Sequence, residues 1–158
     1  MRIDLKNTVI TLKGGSSEEL IIKLGDGNLT FRATKNREYF LNRGILDSVR
    51  DGDEVPVEIT MDCVWEELQG SAGSTAATPT PYDVFQHEGG AVDWVTSATD
   101  TCEPFAVDIE LVHTPDCTTF AAETILFADF RYESIDGDPK AGTLSVSGKC
   151  NITKPTIT

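Results

Sequence analysis

The sequence predicts a mainly β protein, an antiparallel β-sandwich or barrel that carries one short α-helix. Three stretches, residues 55–65, 105–112 and 143–153, alternate apolar with polar residues, as strands with one buried face do. A fourth stretch, Thr80–Asp83, has the residues of a helix start. With 158 residues, 39% of them hydrophobic, the chain can bury a core. We therefore expect one domain spanning residues 1–158.

The N-terminal third is predicted to form short strands joined by turns. Ile3–Leu12 and Glu19–Leu24 have the pattern of strands. Asp26-Gly27-Asn28 tolerates positive φ, so we expect a hairpin from the second strand into Leu29–Ala33. The next segment, Thr34–Asp53, is too apolar for an idle loop of its length and is interpreted as an extended hairpin or arm.

Charge distribution gives this arm a predicted role. Residues 1–50 hold nine basic and six acidic side chains, whereas residues 51–130 hold seventeen acidic side chains and no Lys or Arg. Arg and aromatic residues are good interface anchors, so we predict that the arm contacts the acidic surface of an adjacent copy. The candidate contact residues are Arg37, Tyr39, Phe40, Arg43 and Arg50.

The most regular strand is Val55–Trp65, whose odd positions are all apolar. At about 3.3 Å per residue it would span roughly 36 Å and would need long neighbours. A second long strand is expected at Thr124–Ile135, followed by a turn at residues 136–139. The residues expected in the core are Val55, Val57, Ile59, Met61, Trp65, Trp94, Val107, Ile109, Leu144 and Val146.

Between these strands, the Gly-, Ser-, Ala- and Thr-rich residues 69–80 predict a flexible surface loop. A helix is expected from Pro81 to about Glu88, because Thr80 can cap it and Asp83 can complete a capping box.

No catalytic, cofactor-binding or metal-ligating residues are predicted. The chain has no G-x-S-x-G, phosphate-loop or H-E-x-x-H motif. His113, Asp116 and Cys117 form a triad only in sequence, and residues 136–138 are interpreted as turn chemistry and not as a calcium loop. The four cysteines lack C-x-x-C spacing, so neither a metal site nor a structural disulfide is expected; they are Cys63, Cys102, Cys117 and Cys150.

Membrane insertion and nucleic-acid binding are also not expected. No apolar run approaches the ~18 residues of a membrane span, and the N-terminus lacks the apolar block of a signal peptide. The sequence pI of about 4.4 argues against a basic groove for nucleic acid. We therefore expect synthesis and assembly in the cytoplasm.

Four stretches resemble the major tail (tail tube) proteins of long-tailed, siphovirus-type bacteriophages. They read REYFLNRGILDSVRDGDEVPVEITMDCVWEE, TPYDVF, DTCEPFAVDIELVH and FRYESIDGDPKAGTLSVSGKCN. The resemblance as a whole covers most of the chain from about Gly25 to Asn151. The resemblance implies a β-sandwich flanked by a helix, with no catalytic residues. It also implies hexameric rings whose strands line a continuous β-barrel, stacked into a tube in the virion tail. The implied partners are further copies of the chain and the tape measure, terminator and distal tail proteins, while double-stranded DNA passes through without specific binding.

Carboxylates repel phosphate, so an acidic lumen would let DNA slide without sticking. The candidates on the polar faces of the long strands are Glu58, Asp62, Glu66, Asp108 and Glu110, with Asp129 and Glu133 as further candidates. Alternatively, these carboxylates face outward or pair with a neighbour's arm.

Two other functions remain open on the sequence alone. One is a tail terminator or connector of the same fold, which would form a single ring and never polymerise. The other is a non-viral, soluble β-sandwich that binds a carbohydrate or peptide, which would be a monomer with a defined pocket.

Overall fold

The computed structural model describes residues 3–66 and 79–158. In these residues the chain is mainly β, with antiparallel strands and one short α-helix, as the sequence predicts at this level. The strands are β1 (Thr8–Lys13), β2 (Glu19–Ile22), β3 (Leu29–Arg32), β4 (Lys35–Asn42), β5 (Ile45–Glu54), β6 (Val57–Val64), β7 (Val107–His113), β8 (Glu123–Asp138), β9 (Thr143–Cys150) and β10 (Thr156–Ile157). The helix, α1, is Pro81–Gln86, and a 3₁₀ turn follows at Gly89–Ala91. Most of the predicted loop at 69–80 lies outside the described residues.

The main sheet has the strand order β2-β1-β7-β8-β9-β6-β3, and β10 pairs with β8. Three strand steps separate β3 from β8, which is more than about 14 Å in a flat sheet. Yet the ring centres of Phe31 on β3 and Phe127 on β8 are 5.0 Å apart. The Val64 N–H on β6 also donates to the Lys23 carbonyl, just beyond β2, over 2.7 Å. The sheet therefore curls strongly, while β2 and β3 remain its edge strands in the described part of the chain.

Alternation along the strands determines which side chains form the core. On β6 the odd positions from Val57 to Cys63 are buried, and the even positions between them are exposed. The predicted core residues confirmed as buried are Val57, Ile59, Met61, Trp94, Val107, Ile109, Leu144 and Val146. Val55 and Trp65 are only partly buried, because they flank β6. The Trp65 ring packs instead against Tyr82 of α1, with ring centres 5.5 Å apart.

The helix begins where the sequence predicts. The Asp83 N–H donates to the Thr80 hydroxyl over 3.3 Å, and the Thr80 N–H donates to the Asp83 carboxylate over 3.2 Å, which completes a capping box. The helix ends at Gln86, two residues before the predicted end, because His87 adopts a left-handed conformation with φ 55°. In the described part of the chain, no helix is long and apolar enough to cross a membrane.

The predicted hairpin between β2 and β3 is wrong. β2 pairs with β1, and β3 pairs with β6, so residues 23–28 carry the chain from one edge of the sheet to the other. The turn chemistry of Asp26-Gly27-Asn28 is used, since the Gly27 N–H donates to the Leu24 carbonyl over 2.9 Å. Turn propensity describes a local bend but does not decide which strands pair across it. The first strand also begins later than predicted, at Thr8.

The predicted turn at residues 136–139 is also wrong, because β8 continues to Asp138. A Cβ at Gly137 would lie 2.9 Å from the Trp65 ring, so this glycine leaves room inside a strand. The chain turns just afterwards, where the Gly142 N–H donates to the Asp138 carbonyl over 2.8 Å. The Asp138 carboxylate accepts the N–H groups of Lys140 and Ala141 and orders this turn.

Candidate assembly surfaces

The segment 34–53 forms an extended hairpin, as predicted. Strands β4 and β5 pair only with each other in the described part of the chain. They meet in a two-residue turn whose residues, Arg43 and Gly44, have φ 53° and 80°. Positive φ at both positions suits a type I′ turn, whose twist matches that of the two strands. The hairpin leaves the main sheet between β3 and β6.

The hairpin is exposed along its whole length. Every residue of β4 and all of β5 except Gly52 are exposed to solvent. Large apolar side chains are concentrated near the turn, and Ile45 and Leu46 are each 72% exposed. The other exposed apolar residues of the hairpin are Tyr39, Phe40, Leu41 and Val49. Monomeric proteins rarely present so much contiguous apolar surface without a partner.

The hairpin differs from the rest of the surface by its exposed apolar side chains more than by its charge. The segment 34–53 carries four basic and four acidic residues. Arg50 is paired with Glu38, and its guanidinium carbon lies 5.1 Å from the centre of the Phe40 ring. The Lys35 ammonium is 3.1 Å from the Asp51 carboxylate. Of the predicted contact residues, Arg37 and Arg43 are the cations without an ion pair among the described residues.

The predicted lumen carboxylates do not form one cluster. Glu58 and Asp62 lie on the exposed face of β6, on either side of Thr60. Asp62 is opposite Ser145 of β9, whereas Glu58 lies between Lys149 of β9 and Arg32 of β3. Neither carboxylate is ion-paired in the described part of the chain. This part of the sheet therefore presents a polar surface whose negative charge is least compensated at Asp62.

The other three candidates have local partners. The Glu110 carboxylate on β7 accepts a hydrogen bond from the Lys13 ammonium over 2.9 Å, and this bond raises the pKa of Lys13. Asp108 accepts the Asp129 N–H over 3.0 Å, at an irregularity in β8 where Asp129 has φ 56°. Glu66 is 2.9 Å from the Lys23 ammonium. Strands β8 and β9 lie between β7, which carries Asp108 and Glu110, and β6. The sequence alone does not indicate which partner each of these carboxylates contacts.

Of the further candidates, Asp129 accepts a hydrogen bond from the Ser97 hydroxyl over 3.4 Å, and Glu133 lies 3.7 Å from the Lys149 ammonium.

Two of the four cysteines lie in the core. Cys63 is opposite Leu144, and Cys150 is opposite Val57, on the paired strands β6 and β9. Val57 and Cys63 are six residues apart on β6, so the two cysteines are separated by about 20 Å, which is too far for a disulfide. Burial raises the pKa of Cys63 to about 11 and that of Cys150 to about 12.

We expect the two buried thiols to make folding sensitive to alkaline pH. Their folded pKa values exceed the ordinary value of 9.0, so their contribution to stability is fully present below pH 9. It is lost as pH rises towards 11–12, by about 1.4 kcal/mol per pH unit for each thiol. Urea unfolding at pH 8 to 11 measures this loss. The double variant Cys63→Ala and Cys150→Ala should show a shallower decline, and an unchanged slope would contradict this origin.

The residues of the sequence-only triad have separate environments. His113 is buried, and its Nδ1 lies 3.3 Å from the Thr8 hydroxyl. Asp116 accepts a hydrogen bond from the Asn7 amide over 3.0 Å, while Cys117 is exposed. Among the residues that the structure describes, no group of three or more His, Cys, Asp and Glu side chains could hold a metal ion.

A groove of about 480 Å³ runs between α1 and β8. His87 stacks on Phe105 in its wall, with ring centres 3.9 Å apart. The polar groups beside it already have partners. Arg131 donates to the Pro104 carbonyl over 3.0 Å, and the Tyr132 hydroxyl is 2.6 Å from the Gln86 side-chain oxygen.

No protein-family model matches this chain, and a search of curated proteins finds no match. The structural features that bear on function are the hairpin, the sheet edges and the polar face of β6 and β9.

Proposed function

We propose that this protein is a structural subunit of a phage tail tube, which assembles as stacked hexameric rings around a conduit for double-stranded DNA. The observation that carries the proposal is the hairpin β4–β5, which is exposed throughout and strongly apolar near its turn. A two-stranded ribbon is marginally stable alone, so it gains most from a partner. The resemblance to tail tube proteins supplies the identity of that partner, namely further copies of the chain.

The open edges of the main sheet support lateral assembly. β2 and β3 each leave one side unpaired in the described part of the chain. Exposed edges invite pairing with another chain, and a closed ring of subunits removes them. Six curled sheets joined edge to edge would give the continuous barrel that the resemblance implies. In this arrangement the sandwich-like sheet of one copy is one sector of the tube wall.

The polar face of β6 and β9 is the best candidate for the lumen. This face carries Glu58, Thr60 and Asp62 of β6 and exposes little apolar surface. Asp62 has Ser145 beside it, whereas Lys149 and Arg32 flank Glu58. Six copies of Asp62 per ring would place negative charge within a narrow, low-dielectric wall, which keeps DNA phosphates off the surface.

We expect the double variant Glu58→Lys and Asp62→Lys to slow DNA ejection from particles whose tails assemble normally. Lysines on the lumen wall would bind the phosphates that the carboxylates repel. The matched control is Glu88→Lys with Asp93→Lys, which makes the same charge change at exposed residues outside the strands. Ejection at the wild-type rate from the β6 variant would show that this face does not line the lumen, and it would not contradict the tube assignment.

Electron microscopy and sedimentation velocity of the purified protein test the proposal directly. A tail tube subunit should form rings and tubes. Single rings that never stack would favour a terminator or connector of the same fold. A chain that stays monomeric over a wide range of concentration and salt would contradict all three assembly functions.

A second candidate function, a ligand-binding module, is favoured by the groove between α1 and β8. The volume of this groove falls within the usual range for ligand sites. However, Arg131 and Tyr132 already bond to protein groups. We therefore rank this function second. A protein that remains strictly monomeric would favour ligand binding over assembly.

A further inference from the structure

A cleft of about 370 Å³ opens between the residues that precede β1 and the end of β2. Leu5, Val9 and Ile21 contribute to its lining and are 40%, 48% and 54% exposed. Val9 and Ile21 lie on the face of their strands opposite to the core residues Ile10 and Ile22. Their apolar surface therefore takes no part in the core of the domain.

The cleft and the hairpin are at opposite ends of β6. Lys23 and Gly25 line the cleft beside Val64, the last residue of β6. The hairpin instead joins the sheet at Val57, the first residue of β6. At about 3.3 Å per residue, these two positions are roughly 23 Å apart. A contact between the hairpin of one copy and the cleft of another would join unlike surfaces.

One pair of opposite charges is available across the two surfaces, Arg43 and Asp26, although Lys6 and Lys23 also line the cleft. The Lys23 ammonium is already 2.9 Å from Glu66. Arg43 occupies the hairpin turn, and Asp26 lies between two glycines that line the cleft, Gly25 and Gly27. Both charged residues are exposed, and neither has an ion pair within the described ranges.

We propose that the hairpin tip of one copy, defined as Leu41, Arg43, Ile45 and Leu46, docks into the β1–β2 cleft of the next copy. This inference rests on the proposed function and names the site that receives the hairpin. The apolar tip covers Leu5, Val9 and Ile21, and Arg43 faces Asp26. A contact between unlike surfaces leaves a free tip at one end and a free cleft at the other, so it propagates into a filament.

Two single variants test this contact. Leu46→Glu places a charge in the tip, and Ile21→Glu places one in the cleft. Both side chains are exposed, so we expect each variant to keep the wild-type thermal unfolding curve. Neither variant alone should form tubes. Val92→Glu, at an exposed apolar residue away from both surfaces, is the control and should assemble as the wild type does.

Mixing the two variants gives the decisive measurement. The Ile21→Glu chain keeps an intact tip, and the Leu46→Glu chain keeps an intact cleft, so one productive contact can form between them. Sedimentation velocity should show a complex of about twice the mass of either variant's own particle, with no further growth. If the wild type forms tubes but the two variants do not associate when mixed, the hairpin–cleft contact is wrong and the proposed function still stands. A wild-type chain that never assembles would instead overturn the proposed function.

Charge exchange tests the register of the contact. Arg43→Asp and Asp26→Arg should each raise the concentration needed for tube formation, by up to about fivefold, the range of an exposed ion pair. Combining both changes in one chain should restore the wild-type concentration. Additive losses in the combined variant would show that Arg43 does not face Asp26.

Discussion

Replacing Ile59 with alanine should lower the free energy of unfolding by about 2–5 kcal/mol. Ile59 is 1% exposed and lies on β6 between Phe31 of β3 and Gly148 of β9. Neighbours on β9 cannot easily move in, since even a Cβ at Gly148 would meet the Arg131 carbonyl oxygen at 2.2 Å. Most of the cavity left by the shortened side chain should therefore persist, and its cost adds to the lost apolar burial.

Urea denaturation of the unassembled protein, followed by tryptophan fluorescence, measures this effect. Thr60→Ala is the matched control, because Thr60 is the next residue on β6 and its side chain is on the exposed face. We expect that change to stay within about 0.5 kcal/mol. A small loss at Ile59 together with a large loss at Thr60 would mean that the register of β6 is inverted.

Removing the apolar surface of the hairpin should abolish tube growth without unfolding the domain. Leu41 and Leu46 face each other across the two strands and are 62% and 72% exposed. In the double variant Leu41→Ser and Leu46→Ser, the domain core is untouched. The main local loss is one cross-strand pair, a contribution of roughly 0.2–1 kcal/mol. The same surface is repeated in every subunit of a tube, so its loss acts at every contact between copies.

Electron microscopy at a concentration where the wild type is fully polymerised measures this loss of assembly. The charge variant Arg37→Glu, Arg43→Glu and Arg50→Glu is a useful comparison, and we also expect it to stop growth. It removes the Arg50 pair with Glu38 as well, so its interpretation needs a thermal unfolding curve. Normal tubes from both variants would exclude the hairpin from assembly.

Local sequence patterns predict the elements of this fold well. The apolar alternation of β6 and the capping box at Thr80 depend on neighbouring residues, and both are found where the sequence places them. Pairing between distant strands has no such local signal. The turn at Asp26-Gly27-Asn28 is real, but its two flanking strands join different partners. Gly137 has the sequence of a turn residue, yet its function is to make room for a ring 72 residues earlier in the chain, that of Trp65.

The candidate site is predictable to a similar extent. Arg37, Tyr39, Phe40, Arg43 and Arg50 all lie on one hairpin, as the composition of that segment indicates. Sequence cannot predict that Glu110 is held by Lys13, because 97 residues separate the two. It also does not distinguish the unpaired carboxylates of β6 from the partnered ones of β7. That difference depends on which strand lies beside each residue.

The separation between paired strands also determines when each surface can form during synthesis. The hairpin needs only residues 35–54, whereas β1 cannot complete its sheet until β7 exists, and Thr8 and His113 are 105 residues apart. At 5–20 residues per second, the ribosome needs roughly 5–20 s to extend the chain from the hairpin to the end of β9. Hairpins form in about 1–10 μs. Nascent chains on one messenger RNA therefore expose this apolar hairpin to one another for seconds before their domains are complete. The residues that line the β1–β2 cleft are made before the hairpin, but β1 gains its partner β7 only later, so we expect ordered growth to begin only after β7 has been made.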